Sequence, residues 1–183
     1  MIRDLEAPLE PPRAKLPIAV RPATPDDAPA ILERISELAG YDRSNRELFL
    51  QVGIGTCYVA VTERDEVCYM QWLIAPEHNA LLAAHTRLPT LQDSEALLEN
   101  AFTPAAFRGM GIMSAAMAQI AARASELGAR WVLTVVSEPN LASIKGCIKA
   151  GFQPHMLKLD RWRMLRHQVR YTALPPGYEP PTN

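Results

Sequence analysis

Hydrophobic and polar positions change period several times along the chain, and the changes mark its elements. Residues 18–21 read as a first strand. Thr24, Pro25, Asp26 and Asp27 then form a helix start, with a hydroxyl to cap, proline at the first helical position and acids in the first turn. Ile31, Ile35 and Leu38 share one face of that helix up to Gly40, and a second helix is predicted over residues 43–51. Two β-rich runs, 56–62 and 67–74, flank the charged residues 63–66 and read as a hairpin. Residues 76–92 are ambiguous, with helix-like apolar residues at 81–84 and a breaker at Pro89. Over residues 95–102 local propensity favours helix. Further on, Met113, Met117, Ile120, Ala121, Ala124 and Leu127 recur at three- and four-residue steps, and Gly128 is a helix stop. Residues 130–136 are short, apolar and β-branched, which predicts a buried strand; 152–159 and 162–172 supply the last two strands.

Composition changes this picture at the ends and in the choice of partners. Of the sixteen prolines, seven precede residue 30 and four follow residue 173, so residues 1–17 are expected as an extended arm and 173–183 as a tail around a single domain of residues 18–172. With 183 residues and 48% hydrophobic content, one core is sufficient. A formal net charge of −1 gives no whole-molecule attraction to nucleic acid or an anionic membrane, although Lys158, Arg161, Arg163, Arg166 and Arg170 cluster near the end. An exposed strand face explains that run without a nucleic-acid role. The three cysteines, Cys57, Cys68 and Cys147, are odd in number, lack metal-ligand spacing and sit in apolar stretches, and no charged-then-apolar leader or spanning run is present. A cytoplasmic protein without a metal and without a membrane partner is expected. The arms and last strand are compatible with a homodimer.

The chemistry is signalled by the turn Phe107, Arg108, Gly109, Met110, Gly111, Ile112. A glycine-flanked loop entering a helix leaves backbone N–H groups without intrahelical partners at the positive end of the helix dipole, and that volume favours phosphate. Gly109 and Gly111 keep Cβ atoms away from an anion there, and Arg108 adds a forked donor. Such a turn alone also serves as a mere connection. Two other phosphate sites do not fit: no Gly-Lys-Ser/Thr closes the loop, and Ser114 stands where a dinucleotide fingerprint needs its third glycine.

Twenty-nine residues after Gly111 comes Asn140, with Ser143, running into Gly151 and Phe152. With these two motifs in this order the chain resembles the GNAT acetyltransferase superfamily over roughly residues 18–158, best over 98–154. The first family motif is carried by Arg108, Gly109, Met110, Gly111, Ile112 and Met113. The resemblance implies a mixed α/β fold with a mostly antiparallel central sheet flanked by helices, whose splayed central strands hold acyl-CoA. It also demands a strand, not a helix, over residues 95–102. Two positions depart from the family pattern. Met113 stands where a small residue is usual, and Cys147 where many members carry a tyrosine that reprotonates the leaving thiolate.

The resemblance implies acetyl-CoA as cosubstrate and direct attack by a primary amine on the thioester, with a small metabolite as acceptor. Phe102 and Thr103 are then expected to face the pantetheine and thioester oxygen through backbone N–H groups, and Asn140, a further catalytic candidate, to lie near the pantetheine arm or the thioester at the opening between the splayed strands. Glu99 is the first candidate for the base and Glu95 the second, with His78 and His85 as alternatives of suitable ordinary pKa. Cys147 is a candidate acid, although between Ile144 and Ile148 it also reads as small core filling; water or Tyr69 are other proton sources. Tyr69, Met70 and Trp72 could line an acceptor pocket, but strand alternation splits them between two faces. The first helices, residues 76–92 and the C-terminal strands are the parts implied to meet the acceptor. The alternatives are a protein or peptide N-terminal acetyltransferase, and an acyl-CoA-binding or interaction domain with little turnover.

Overall fold

The computed structural model describes residues 1–163 and 166–181. Six strands form one sheet in the order β1-β6-β5-β4-β3-β2: β1 (Ile2–Asp4), β2 (Ala19–Pro22), β3 (Thr56–Val61), β4 (Val67–Ile74), β5 (Glu95–Phe102) and β6 (Trp131–Thr134). Every pairing in it is antiparallel except β5 with β6. The strands β7 (Met156–Arg163) and β8 (Arg166–Ala173) pair antiparallel as a separate ribbon, not as members of the main sheet. Met164 and Leu165, within the arginine-bearing run, lie outside the described residues, as do the last two residues of the tail.

β4 is buried along its whole length because both faces of the sheet are covered. Met70, Trp72 and Ile74 turn to a core shared with α1 (Ala28–Ser36), α2 (Gly40–Val52) and α3 (Asn79–His85), where Phe49 meets Trp72 edge-to-face at 6.1 Å. Tyr69 and Leu73 turn to the opposite core, built by α4 (Ile112–Arg123) and α5 (Leu141–Lys149). The aromatic set therefore divides as strand alternation requires. Each fully buried side chain of this size contributes about 1.5–3 kcal/mol of transfer free energy.

Residues 95–102 are a strand despite their helical propensity, because β4 pairs with them on one side and β6 on the other. The first helix starts with a 3-10 turn, Pro25–Asp27. There Asp27 accepts the Thr24 N–H at 2.7 Å and a two-pronged pair from Arg21 at 2.6 and 2.9 Å. These contacts hold its carboxyl well below the usual carboxylate range, the Arg21 guanidinium being the main cause.

The arm builds no core of its own but is tied to the domain. Met1 and Thr134 exchange backbone hydrogen bonds at 2.8 and 3.0 Å, and β1 closes the sheet edge against β6. Residues 5–17 then cross to β2 at the opposite edge, with Leu5, Leu9, Ala14 and Leu16 packed on the α4/α5 core.

Candidate active site

The site begins where two parallel strands stop pairing. The β5–β6 ladder ends at Leu98 and Thr134. At the next residue the Glu99 carboxylate replaces the backbone partner, accepting the Val135 N–H at 3.1 Å. Beyond it Asn100, Ala101, Phe102 and Thr103 of one strand face Val136 and Ser137 of the other across a cleft of about 820 Å³. Backbone donors released from a ladder in this way are ready for a linear polar ligand.

A bulge sets the direction of β5 at this point. Its register against β4 shifts between the Trp72–Glu99 and Met70–Phe102 pairs, and Asn100 takes a left-handed φ of 59°. For a residue other than glycine this conformation costs on the order of 1 kcal/mol or more, so neighbours must over-determine it. α2 supplies them. Its residues 42, 45, 46 and 49 share one face, which puts Phe49 in the core and the polar residues on the bulge. Asn45 Nδ2 donates to Asn100 Oδ1 at 2.7 Å. The buried Arg46 donates to the Ala101 carbonyl at 3.0 Å and to the Asp42 carbonyl at 2.8 Å, with its guanidinium 5.7 Å from the Phe102 ring centre.

At the other end of the cleft lies the glycine loop. Gly109 and Gly111 have φ of 74° and 73°, and Gly111 immediately precedes α4. The first-turn residues Ile112, Met113 and Ser114 line the cleft together with Arg108, Gly109 and Gly111. Arg108 is aligned by an Nε donation to the Thr103 carbonyl at 3.1 Å. A Cβ on Gly109 would meet nothing, whereas one on Gly111 would come 3.0 Å from the Arg13 carbonyl oxygen. The glycine requirement is thus set by left-handed φ at both positions and by the crossing arm at Gly111. The donor set suits pyrophosphate: unpaired first-turn N–H groups, the helix dipole and Arg108 converge on it. The whole cleft carries six cations, Arg46, Arg87, Arg108, Lys145, Lys149 and Lys158, against two carboxylates, Asp42 and Glu99. An anionic ligand is favoured throughout.

Of the residues singled out by sequence, Glu99, Phe102, Thr103, Arg108, Gly109, Gly111, Ile112, Met113, Asn140, Ser143 and Cys147 all line this cleft. Met110 does not; it packs on the α4/α5 core and accepts the Lys15 N–H at 2.8 Å through its carbonyl. Asn140 is the N-cap of α5, and its Oδ1 accepts the Ser143 N–H at 3.1 Å. The Asn-x-x-Ser spacing is therefore a cap as well as a wall of the cleft. Met113 lies against Gly146 of α5, where a Cβ would approach its sulfur to 2.9 Å. Its bulk is taken up between two helices rather than in the loop.

Burial pushes the Glu99 carboxyl up to about 7, against the Val135 N–H and nearby Lys158, which pull it down. Glu95 lies outside the cleft and accepts the Gln92 N–H at 2.9 Å in a turn. His85 lines a neighbouring cavity of about 470 Å³, and His78 lines neither. Cys147 is 2% exposed, 3.9 Å from the Met117 sulfur, and burial pushes its thiol up to about 12.

Asn45, Arg46, Asn100 and Arg87 had no motif to announce them, and Lys158 stood out only as part of the basic run near the end. Only the polar spacing 42, 45, 46 on a helix with Phe49 at its buried end could have pointed to the first two.

A glycine turn opening a helix, a parallel pair splayed at a carboxylate and a cationic cleft between them define an acyl-CoA-binding α/β protein. The acetyltransferase (GNAT) family model matches residues 41–152, and the chain belongs to that family: it is an acetyl-CoA-dependent acetyltransferase. No curated protein matches it in sequence. Its fold is similar to the GNAT superfamily phosphinothricin acetyltransferase from Sinorhizobium meliloti in complex with AcCoA (19% identity, 90% of this chain and 93% of that one, TM-score 0.57). It is also similar to aminoglycoside 6'-N-acetyltransferase AAC(6')-Ih from Acinetobacter baumannii (16%, 75% and 92%, 0.54) and glucosamine-6-phosphate N-acetyltransferase from Arabidopsis thaliana (13%, 80% and 98%, 0.53). Among the described residues no helix is long and apolar enough to cross a membrane.

Proposed function

We propose that the protein is an N-acetyltransferase that acetylates a primary amine of a small molecule by direct attack, with Glu99 as the base. The observation that carries this reading is the position of Glu99, at the apex of the splay and in the same cleft as the glycine loop.

Acetyl-CoA supplies an activated acetyl thioester. The first turn of α4 and Arg108 hold its phosphates, and the free edges of β5 and β6 align its linear arm. The bulge at Asn100 is fixed by Asn45 and Arg46, and the Phe102–Thr103 stretch that follows it supplies a backbone N–H to the thioester oxygen, where negative charge develops. Glu99 takes the amine proton. With its carboxyl pushed up to about 7, it is a base that both accepts and releases a proton near neutral pH. The nitrogen–carbon bond forms as the carbon–sulfur bond breaks, the thiolate takes a proton from solvent, and the protonated Glu99 returns its proton to solvent, so that no net proton is gained or lost. We read Cys147 as core filling rather than as the acid, since a thiol raised to about 12 is a weak donor.

The test is acetyl transfer from acetyl-CoA, followed by mass, across a panel of small amines and peptides. Acetylated small amines, with turnover lost in Glu99→Gln, support the reading. Acetylation of peptide N-termini alone overturns the acceptor class, and acetyl-CoA binding without transfer to any amine overturns the activity.

A further inference from the structure

Beyond Glu99 the cleft runs into the neighbouring cavity of about 470 Å³, and the two share Tyr41, Thr86, Arg87 and Lys158 as wall residues. This shared wall is made by the start of α2, the segment after α3 and β7. It contains none of the loop residues that serve the phosphates. Two cations stand in it. Lys158 has a 23% exposed side chain and a loose 3.7 Å pair with Asp160 at the rim, and it lies near enough to Glu99 to lower that group's proton affinity. Arg87 is exposed and, among the described residues, has no carboxylate partner, yet its backbone is fixed because its carbonyl accepts the Tyr171 hydroxyl at 2.9 Å. Asp42 is turned to Arg46 at 3.9 Å. In the wall beside Glu99, Asn100 is 9% exposed and its Nδ2 is buried without a hydrogen-bond partner. A neutral or cationic acceptor would leave Arg87 without a carboxylate partner beside the reacting amine and Lys158 with only its loose 3.7 Å pair to Asp160, whereas an oxyanion would engage both.

We propose that the acceptor amine carries an acid group, a carboxylate or another small oxyanion, held by Arg87 and Lys158 while the amine faces Glu99. This inference rests on the N-acetyltransferase reading above and deepens it. The two cations are binding residues that set specificity. Arg87 makes the forked contact and Lys158 the point-charge contact.

The experiment compares amino acids with their carboxamides and with aminoalkylphosphonates in acetyl transfer, for the wild type and for Arg87→Ala, Arg87→Lys and Lys158→Ala. The acids should exceed the matched amides in kcat/KM by roughly 10- to 100-fold, as expected for charge-assisted contacts. The alanine variants should lose that preference through KM, and Arg87→Lys should recover part of it. Carboxylates preferred over phosphonates, or the reverse, identifies which oxyanion the wall accepts. Amides turned over as well as acids overturn the proposal, as does an acid preference unchanged in both alanine variants. Calorimetric binding of the same acids to the CoA-loaded protein separates the two readings. Acid-selective binding that is lost in the variants, without transfer to any amine, would sink the acetyl-transfer reading and keep the anion site. Amine transfer with binding indifferent to the acid group would sink the anion site alone.

Discussion

Glu99 and Val135 meet across the ends of β5 and β6, where the Glu99 carboxylate accepts the Val135 N–H at 3.1 Å. This single contact closes the β5–β6 ladder at the head of the cleft. Opening the strands further would leave a buried amide unpaired, which costs about 1–3 kcal/mol, so the apex of the cleft is fixed by the candidate base itself.

Replacing that base separates chemistry from binding. Glu99→Gln should lower kcat on the order of 10²- to 10⁴-fold while acetyl-CoA affinity changes little, measured by steady-state kinetics and calorimetry. In the wild type, kcat should rise with pH up to about 7 and then level, because the carboxyl titrates near 7 and acts ionised. A profile flat from pH 5.5 to 8 would remove Glu99 as the base.

The same group leaves a signature in stability. Its folded-state pKa lies above the ordinary value of 4.5, so between 4.5 and about 7 the folded protein binds more protons than the unfolded chain. Its contribution is therefore fully present below pH 4.5 and is lost as pH rises through 7. Denaturant titrations of Glu99→Gln should show a shallower fall in stability across that window than the wild type.

Cys147→Ala should retain activity within a few-fold and lose about 1 kcal/mol of stability, as for other small deletions in a closed core. A drop in kcat of more than a hundredfold with intact binding would instead make this thiol the proton donor.

At the loop, Gly109→Ala and Gly111→Ala both force a side chain into left-handed backbone, at about 1 kcal/mol each. Only the second also presses a Cβ to 3.0 Å from the Arg13 carbonyl, so Gly111→Ala should melt lower than Gly109→Ala. Gly111→Asp should lose acetyl-CoA binding, because its side chain presses on the Arg13 carbonyl and displaces the turn that presents the first-turn N–H groups; unchanged affinity would sink the assignment of the loop.

Met113 and Gly146 should be energetically coupled. A Cβ at 146 falls 2.9 Å from the Met113 sulfur, so Gly146→Val should destabilise the protein. In a Met113→Ala background most of that cost should disappear, giving a coupling of about 1 kcal/mol in a double-mutant cycle.

The strongest short-range signals in the sequence were those whose physics is local. Glycines at 109 and 111 before an apolar helix leave free N–H groups wherever the helix lies, whereas the cap that Asn140 makes to the Ser143 N–H emerged only from the structure. The β3–β4 hairpin and the helix ending at Gly128 were legible for the same reason. Residues 95–102 were not: their propensity points to helix, and only the long-range resemblance predicted the strand that pairing with β4 and β6 enforces.

What the tertiary structure alone decided is which distant groups meet. The ionisation of Glu99 depends on burial at the end of a ladder, the left-handed Asn100 on Asn45 and Arg46 reaching it from α2, and the meeting of Arg87 and Lys158 in one shared wall on two segments far apart in the chain. Within the arm read as a proline-rich extension, Ile2–Asp4 form an edge strand because β6 had a free side to offer. Periodicity and turn chemistry act over a few residues and can be read along the chain; desolvation, backbone bulges and charge convergence act through space, and they exist only once the sheet has formed.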